Sequence, residues 1–211
     1  MASFAKPPTL NDDQRAVDIY RAAAKIIRTK GYDATSMGDI AEAVDLTKGG
    51  LYYYIKGKEA LLFAIMSFAA GCLESRVLQP ADGVDDPEER LATLISKLAE
   101  LMIDEPSAMV VLADEEERLN VEHRPRITER KERFAQSLRV WVGDVLEARG
   151  GDSHLDTAVA AASLLALVEG VVRWFDPAGA ISRAEAVNQV TRMALQSLEP
   201  LTDRGRRAAV A

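Results

Sequence analysis

Apolar side chains along the first half of this chain recur every three or four positions, the period that buries one face of an α-helix. A first helix carries the stripe Ala16, Ile19, Tyr20, Ala23, Ile26 and Ile27. Asn11 is placed to cap it, Asp12 and Asp13 suit its positive end, and Gly31 ends it. Met37, Ile40, Ala41 and Val44 form the buried side of a short second helix. Thr35 or Ser36 opens that helix, and Asp39, three residues after Ser36, approximates a capping box. Asp45 stands at the next turn, where Asp tolerates a left-handed backbone better than most residues. Thr47 caps a third helix that includes Leu51 and Tyr52 and stops near Ile55.

A fourth helix runs from Gly57 to Val77 on Leu61, Leu62, Ile65, Met66, Phe68, Ala69, Cys72, Leu73 and Val77, broken by Gln79-Pro80-Ala81-Asp82-Gly83. Pro87 begins a fifth (Leu91, Leu94, Ile95, Leu98, Leu101, Met102), and Pro106 a sixth through Val110, Leu112 and Leu119. A seventh starts near Pro125, and its stripe of Phe134, Leu138, Trp141 and Val145 ends before Gly150-Gly151. Asp152 or Ser153 caps an eighth, rich in small residues (Ala158, Ala160, Ala161, Ala162, Ser163, Ala166), which runs to Phe175. Ser182 caps a ninth, through Ala186, Val190, Met193, Ala194 and Leu198. The pattern predicts an all-α chain: a three-helix helix-turn-helix domain over 11–58 and a helical body over 59–200. The joint lies inside the fourth helix, a stiff connection rather than a linker. The arm before Asn11, with Lys6, and the tail after Pro200, with Arg204, Arg206 and Arg207, lie outside the pattern.

Composition changes this picture little. A chain of 211 residues, 48% hydrophobic and 28% charged, is long enough for a real core and is not of the disordered class. The net charge of -7 argues against nucleic acid until it is divided. Residues 1–60 hold nine Lys/Arg and eight Asp/Glu, so the acidity belongs to the rest. Phosphate attraction depends on local charge. The single cysteine, Cys72, permits no intrachain disulfide and fits a cytoplasmic setting. No secretory signal opens the chain, and the apolar stretch Ala60–Leu73 is too short to span a bilayer.

The third helix has the makings of a reader of DNA. Thr47, Lys48, Gly49 and Gly50 offer a small first turn with a donor and a cation, as close approach to a groove requires. Two glycines in so short a helix cost roughly 1 kcal/mol each relative to Ala, so something must require them. Tyr52, Tyr53 and Tyr54 point about 100° apart, which leaves at least one phenol exposed. Lys58 opens the fourth helix, where an ammonium opposes the helix dipole unless a phosphate joins it. The competing reading is an amphipathic core helix with a surface tyrosine.

Over residues 15–65 the chain resembles the DNA-binding domain of the tetracycline-repressor (TetR) family. The resemblance rests on Gly31-Tyr32, Thr35-Ser36-Met37, Asp39-Ile40-Ala41, Thr47-Lys48-Gly49, Leu51-Tyr52 and Lys58-Glu59-Ala60-Leu61. It implies a homodimeric repressor with a helical ligand domain, released from a palindromic double-stranded operator by a small molecule. It places Thr35, Thr47, Lys48, Gly49, Tyr52, Tyr53, Tyr54 and Lys58 on DNA-contact positions. Asp45 departs from the family's turn glycine and Ile55 from its aromatic.

Asp114-Glu115-Glu116-Glu117-Arg118-Leu119, then Arg126, then Val172 to Gly179 are similar to a branch of that family that senses acyl-CoA thioesters. Such an effector needs an apolar slot and cations for its phosphates. Phe134, Trp141 and Trp174 are the aromatic candidates, and Arg118, Arg124, Arg126, Arg130 and Arg173 the cationic ones. The alternative is that these arginines pair with nearby acids, and that the run 114–117 is a solvated face. A multidrug or aromatic-compound sensor is the competing effector class, and a helical ligand-binding protein without DNA binding the competing function. The helices at 152–175 and 182–198 are the expected dimer interface, because small side chains allow close crossing. His123 and His154 have no zinc-type spacing and no adjacent nucleophile, so neither a metal site, a cofactor nor an enzyme is expected.

Overall fold

Each of the first three helices is cut out by its own side-chain chemistry. In the computed structural model, which describes residues 10–150 and 155–199, α1 spans Leu10–Lys30, α2 Met37–Ala43 and α3 Lys48–Tyr54. Gly31, at φ 85°, ends α1 and donates its N–H to Ile27 O at 2.8 Å. Ser36 Oγ accepts from Asp39 N, and the Asp39 carboxylate accepts from Ser36 N at 2.9 Å, a complete capping box. Asp45 takes φ 53° at the turn, and Thr47 Oγ1 accepts from Gly50 N at 3.0 Å to open α3. Ile19, Ala23, Ile40 and Leu51 are wholly buried.

The fourth helix departs from the sequence reading. α4 (Lys58–Cys72) passes into a π-helical segment, Leu73–Leu78, and then into α5 (Gln79–Asp82). Pro80 therefore does not end the helix. Proline crowds the carbonyl of the preceding turn, and the wider π turn just before it relieves that crowding. The resulting 25-residue helix is long and apolar enough to cross a membrane by length and composition, as is 157–174. Here, however, Leu61, Leu62, Ile65 and Met66 are fully buried in protein, and Glu74 and Arg76 carry ion pairs.

The remaining elements are α6 (Pro87–Asp104), α7 (Pro106–Asp114), a 3-10 turn at Glu116–Arg118, α8 (Arg124–Ala148), α9 (Thr157–Glu169), α10 (Val171–Trp174) and α11 (Arg183–Gln196). The sixth predicted helix stops at Asp114 rather than reaching Leu119. The eighth breaks at Gly170 before Phe175. Its cap is Asp156, whose carboxylate accepts from Ala158 N and Val159 N. Asp152, Ser153 and His154, like the terminal arm and tail, lie outside the described residues.

By their internal packing, the described residues form two compact units. One unit takes the described residues through Gly71 together with Ser107–Glu129; the other takes Cys72–Pro106 and the described residues from Arg130 onward. In the second unit α6 is central: α5, α9, α10, α11 and the π segment all pack on it. Its Leu91, Leu94, Ile95, Leu98 and Leu101 are fully buried. Arg183, the first residue of α11, reaches Asp104 at 3.1 Å, and Asp104 also holds Arg76. On α9 the residues Ala160, Ala161, Leu164 and Val168 are buried, while Ala158, Val159, Ala162, Ser163 and Ala166 face outward.

Candidate nucleic-acid interface

The α3 helix is held from below and open above. Leu51 is buried completely and Ile55 nearly so, which fixes the inward face. Lys48, Gly49, Tyr52 and Tyr53 form the exposed side, Tyr53 being 78% exposed and Tyr52 49%. Tyr54 is half-buried, with its ring edge-on to Tyr53 at 5.3 Å. The two glycines differ. A Cβ on Gly50 would stand 3.3 Å from Thr47 Oγ1 and crowd the helix cap. A Cβ on Gly49 would meet nothing closer than 3.9 Å, so nothing within the domain crowds that position. The Thr47 oxygen accepts from Gly50 N, which leaves its hydroxyl hydrogen free to donate outward.

Three neighbouring features set the frame around this helix. Arg15 donates to the Val44 carbonyl and so ties α1 to the turn before α3. Lys30 stands 3.3 Å from Asp39, whose carboxyl is held below its usual range first by the Ser36 backbone N–H, then by the Ser36 hydroxyl and Lys30. Lys58 donates to Asp33 O at 3.1 Å, and its ammonium sits 4.3 Å from the centre of the Tyr32 ring. Burial, followed by the Glu59 charge, pushes the Tyr32 phenol up.

Thr35 is placed differently from the family-based expectation. It is 2% exposed, and its hydroxyl donates to Gly31 O at 2.8 Å. Its side chain closes the α1–α2 turn.

Both halves of the chain match known families. Residues 19–65 match the bacterial regulatory proteins of the tetR family, and residues 84–198 match the tetracyclin repressor-like C-terminal domain. The chain belongs to the TetR family. Among its relatives, the HTH-type transcriptional repressor KstR2 of Mycolicibacterium smegmatis is 27% identical over 179 residues, 83% of this chain and 85% of that protein. KstR2 of Rhodococcus jostii is 26% identical over 200 residues, 91% of this chain and 97% of that one. Among solved structures, AibR in complex with isovaleryl coenzyme A and operator DNA is 31% identical, with a TM-score of 0.73. That match covers 85% of this chain and 97% of AibR. The chain is thus a ligand-responsive, DNA-binding transcriptional regulator of the TetR family.

The predicted effector residues of this TetR-family chain are divided between the two units. Arg118 leaves the 3-10 turn to meet Asp33 at 2.9 Å, and Arg126 lies over the Phe63 ring at 4.8 Å. Both contacts lie within the DNA-reading unit. Arg130 makes a two-pronged contact with Glu74 at 2.9 and 2.8 Å, which holds the Glu74 carboxyl below its usual range. Arg124 is 3.9 Å from Glu117. Phe134 and Trp141 are buried in the second unit, with Arg90 over Trp141 at 5.8 Å. Arg173 and Trp174 are exposed on α10, and the Arg173 guanidinium has no ion pair among the described residues.

The sequence reading missed one cluster altogether. Glu59 Oε1 accepts from Asn120 N at 3.0 Å and lies 3.0 Å from His123 Nδ1, while the imidazole stacks on Phe63 at 3.9 Å and 6°. The sequence weighs His123 as a metal ligand and as a catalytic group, whereas its partner lies 64 residues away. Its only local signal was a polar residue before a proline-started helix.

Proposed function

We propose that this regulator is a homodimeric repressor that leaves a palindromic operator when it binds an acyl-CoA thioester. The observation that carries the effector class is the likeness, over nearly the whole chain, to AibR in complex with isovaleryl coenzyme A and operator DNA. The exposed face of α3 supports the reading role: Lys48 and Tyr52 stand one turn apart and look outward together. Lys48 would meet a base edge, Tyr52, Tyr53 and the Thr47 hydroxyl the phosphates, and Lys58 a further phosphate through the N–H bonds it has left over. Gly49 would let the backbone approach. The setting is the cytosol, where the DNA is.

The outward small-residue face of α9, with Met193 of α11 55% exposed, supports pairing of two copies through these helices. Half-site spacing then follows from the dimer. The segment Ser107–Glu129 offers a route for the signal. It follows the body in sequence but is tied to the DNA-reading half by Arg118–Asp33 and by His123 and Asn120 on Glu59. An effector that displaces this segment pulls on Asp33, whose carbonyl holds Lys58. The shift requires preferential binding of effector to one conformer. Arg173, exposed on α10, is the candidate for a CoA phosphate, with Phe134, Trp141 and Trp174 for apolar contact.

Calorimetric titration with free CoA, short branched acyl-CoAs and long-chain acyl-CoAs tests the effector class. Binding that strengthens with the acyl group and is weak for free CoA is expected. Heat only from aromatic drugs, and none from any acyl-CoA, would replace this effector by the multidrug type.

A further inference from the structure

The α2 helix contains a glycine that its own backbone does not require. Gly38 is the second residue of α2, has no left-handed φ, and is flanked by the completed Ser36–Asp39 capping box. Alanine is favoured over glycine in such a helix, so room beside the backbone is the remaining reason for it. That room is occupied. A Cβ on Gly38 would lie 2.9 Å from Lys48 Cε and 3.4 Å from Lys48 Nζ. The Lys48 chain leaves the first residue of α3 and passes back across the start of α2, through the space a methyl group would fill.

The ammonium has little to hold it there from within the protein. The Asp39 carboxylate, one residue from Gly38, is engaged by Lys30 and by Ser36. Lys48 itself is exposed and has no ion pair or hydrogen bond among the described residues. A cation over the positive end of a helix is also electrostatically opposed. The slot thus gives Lys48 a direction without giving it a partner.

We propose that Gly38 is a specificity-determining positioning residue: its missing side chain aims Lys48 at an acceptor edge in the major groove. The guanine edge, with N7 and O6 as adjacent acceptors, is the chemistry that suits a lysine there. This rests on the reading of Lys48 as a base contact given above. The slot's floor is rigid because the capping box fixes it, whereas the lysine end is flexible. A methyl group at 38 therefore moves Lys48 and leaves the helix in place.

The test uses the full-length protein and duplexes that the wild type selects from a randomised pool. Affinities for the best duplex, its single-base variants and an unselected duplex are measured for wild type, Gly38→Ala, Lys48→Ala and the double variant. Lys48→Ala is expected to lose about tenfold on the selected duplex and its preference at one G·C pair per half-site. Gly38→Ala is expected to lose preference at the same pair, with a melting temperature equal to or above wild type. In the Lys48→Ala background Gly38→Ala should add nothing, and since both proteins in that comparison share the lysine change, any effect on folding alone would show there. Gly38→Ala with wild-type preference, or an equal loss in both backgrounds, overturns the role of Gly38 while leaving Lys48 as reader. A wild-type profile for Lys48→Ala overturns both.

Discussion

His123 Nδ1 lies 3.0 Å from Glu59 Oε1, bringing the start of α8 onto the first turn of α4. Glu59 follows Lys58 directly, and both side chains are partly buried, so the contact acts beside the lysine that donates to Asp33 O. Glu59→Gln and His123→Ala should each lower unfolding stability by about 1–2 kcal/mol, the range for a part-buried charged hydrogen bond with an aromatic stack. Chemical denaturation measures this. The same variants should lose less DNA affinity on adding effector than wild type does, and effector release equal to wild type would remove this cluster from the signal route.

Thr35 separates a structural role from a DNA-contact role. Thr35→Val keeps the shape and removes the hydroxyl that serves Gly31 O. The expected cost is about 1 kcal/mol of stability, with operator affinity unchanged at temperatures well below melting. A loss of affinity with unchanged stability would return Thr35 to the DNA surface.

These two sites show what was legible in the sequence and what was not. Gly31, the Ser36–Asp39 box, Asp45 and Thr47 were readable because each obeys a rule spanning three or four residues. The inward set of α6 was readable because its period is regular. The burial of Thr35 was not legible, because a hydroxyl at a helix start has two uses and only packing shows where the side chain goes. The π segment before Pro80 and the break at Gly170 depend on how the helix meets its neighbours. Arg118 was expected among other cations of the body, but its partner, Asp33, lies far back in the chain.

Acid should weaken the second unit through Glu74. Its carboxyl is held below the ordinary 4.5, first by the hydrogen bonds from Arg130, so the folded state binds that proton more weakly than the unfolded one. The contribution is complete above the unfolded value and is lost as pH falls through the depressed folded value. The group is partly exposed, so the effect is screened to about 1 kcal/mol or less. Glu74→Gln should therefore flatten the stability profile below about pH 5. A variant profile parallel to wild type would contradict this.

The outward face of α9 should govern assembly. Ala162 and Ala166 are exposed one turn apart, so Ala162→Glu with Ala166→Glu places four carboxylates at a two-fold contact. Sedimentation should show monomers, and DNA affinity should fall by more than tenfold because two half-sites no longer bind together. A double variant that still sediments as a dimer would move the interface elsewhere.

The central claim is that one protein couples operator binding to an acyl-CoA effector. The most direct measurement is fluorescence anisotropy of a labelled duplex from the region upstream of the chain's own gene, titrated with protein, with and without saturating acyl-CoA. The account predicts tight binding that weakens at least tenfold when a suitable acyl-CoA is present, by free-energy coupling of about 1.4 kcal/mol or more. Superimposable isotherms with every acyl-CoA, on a duplex the protein binds, would contradict it.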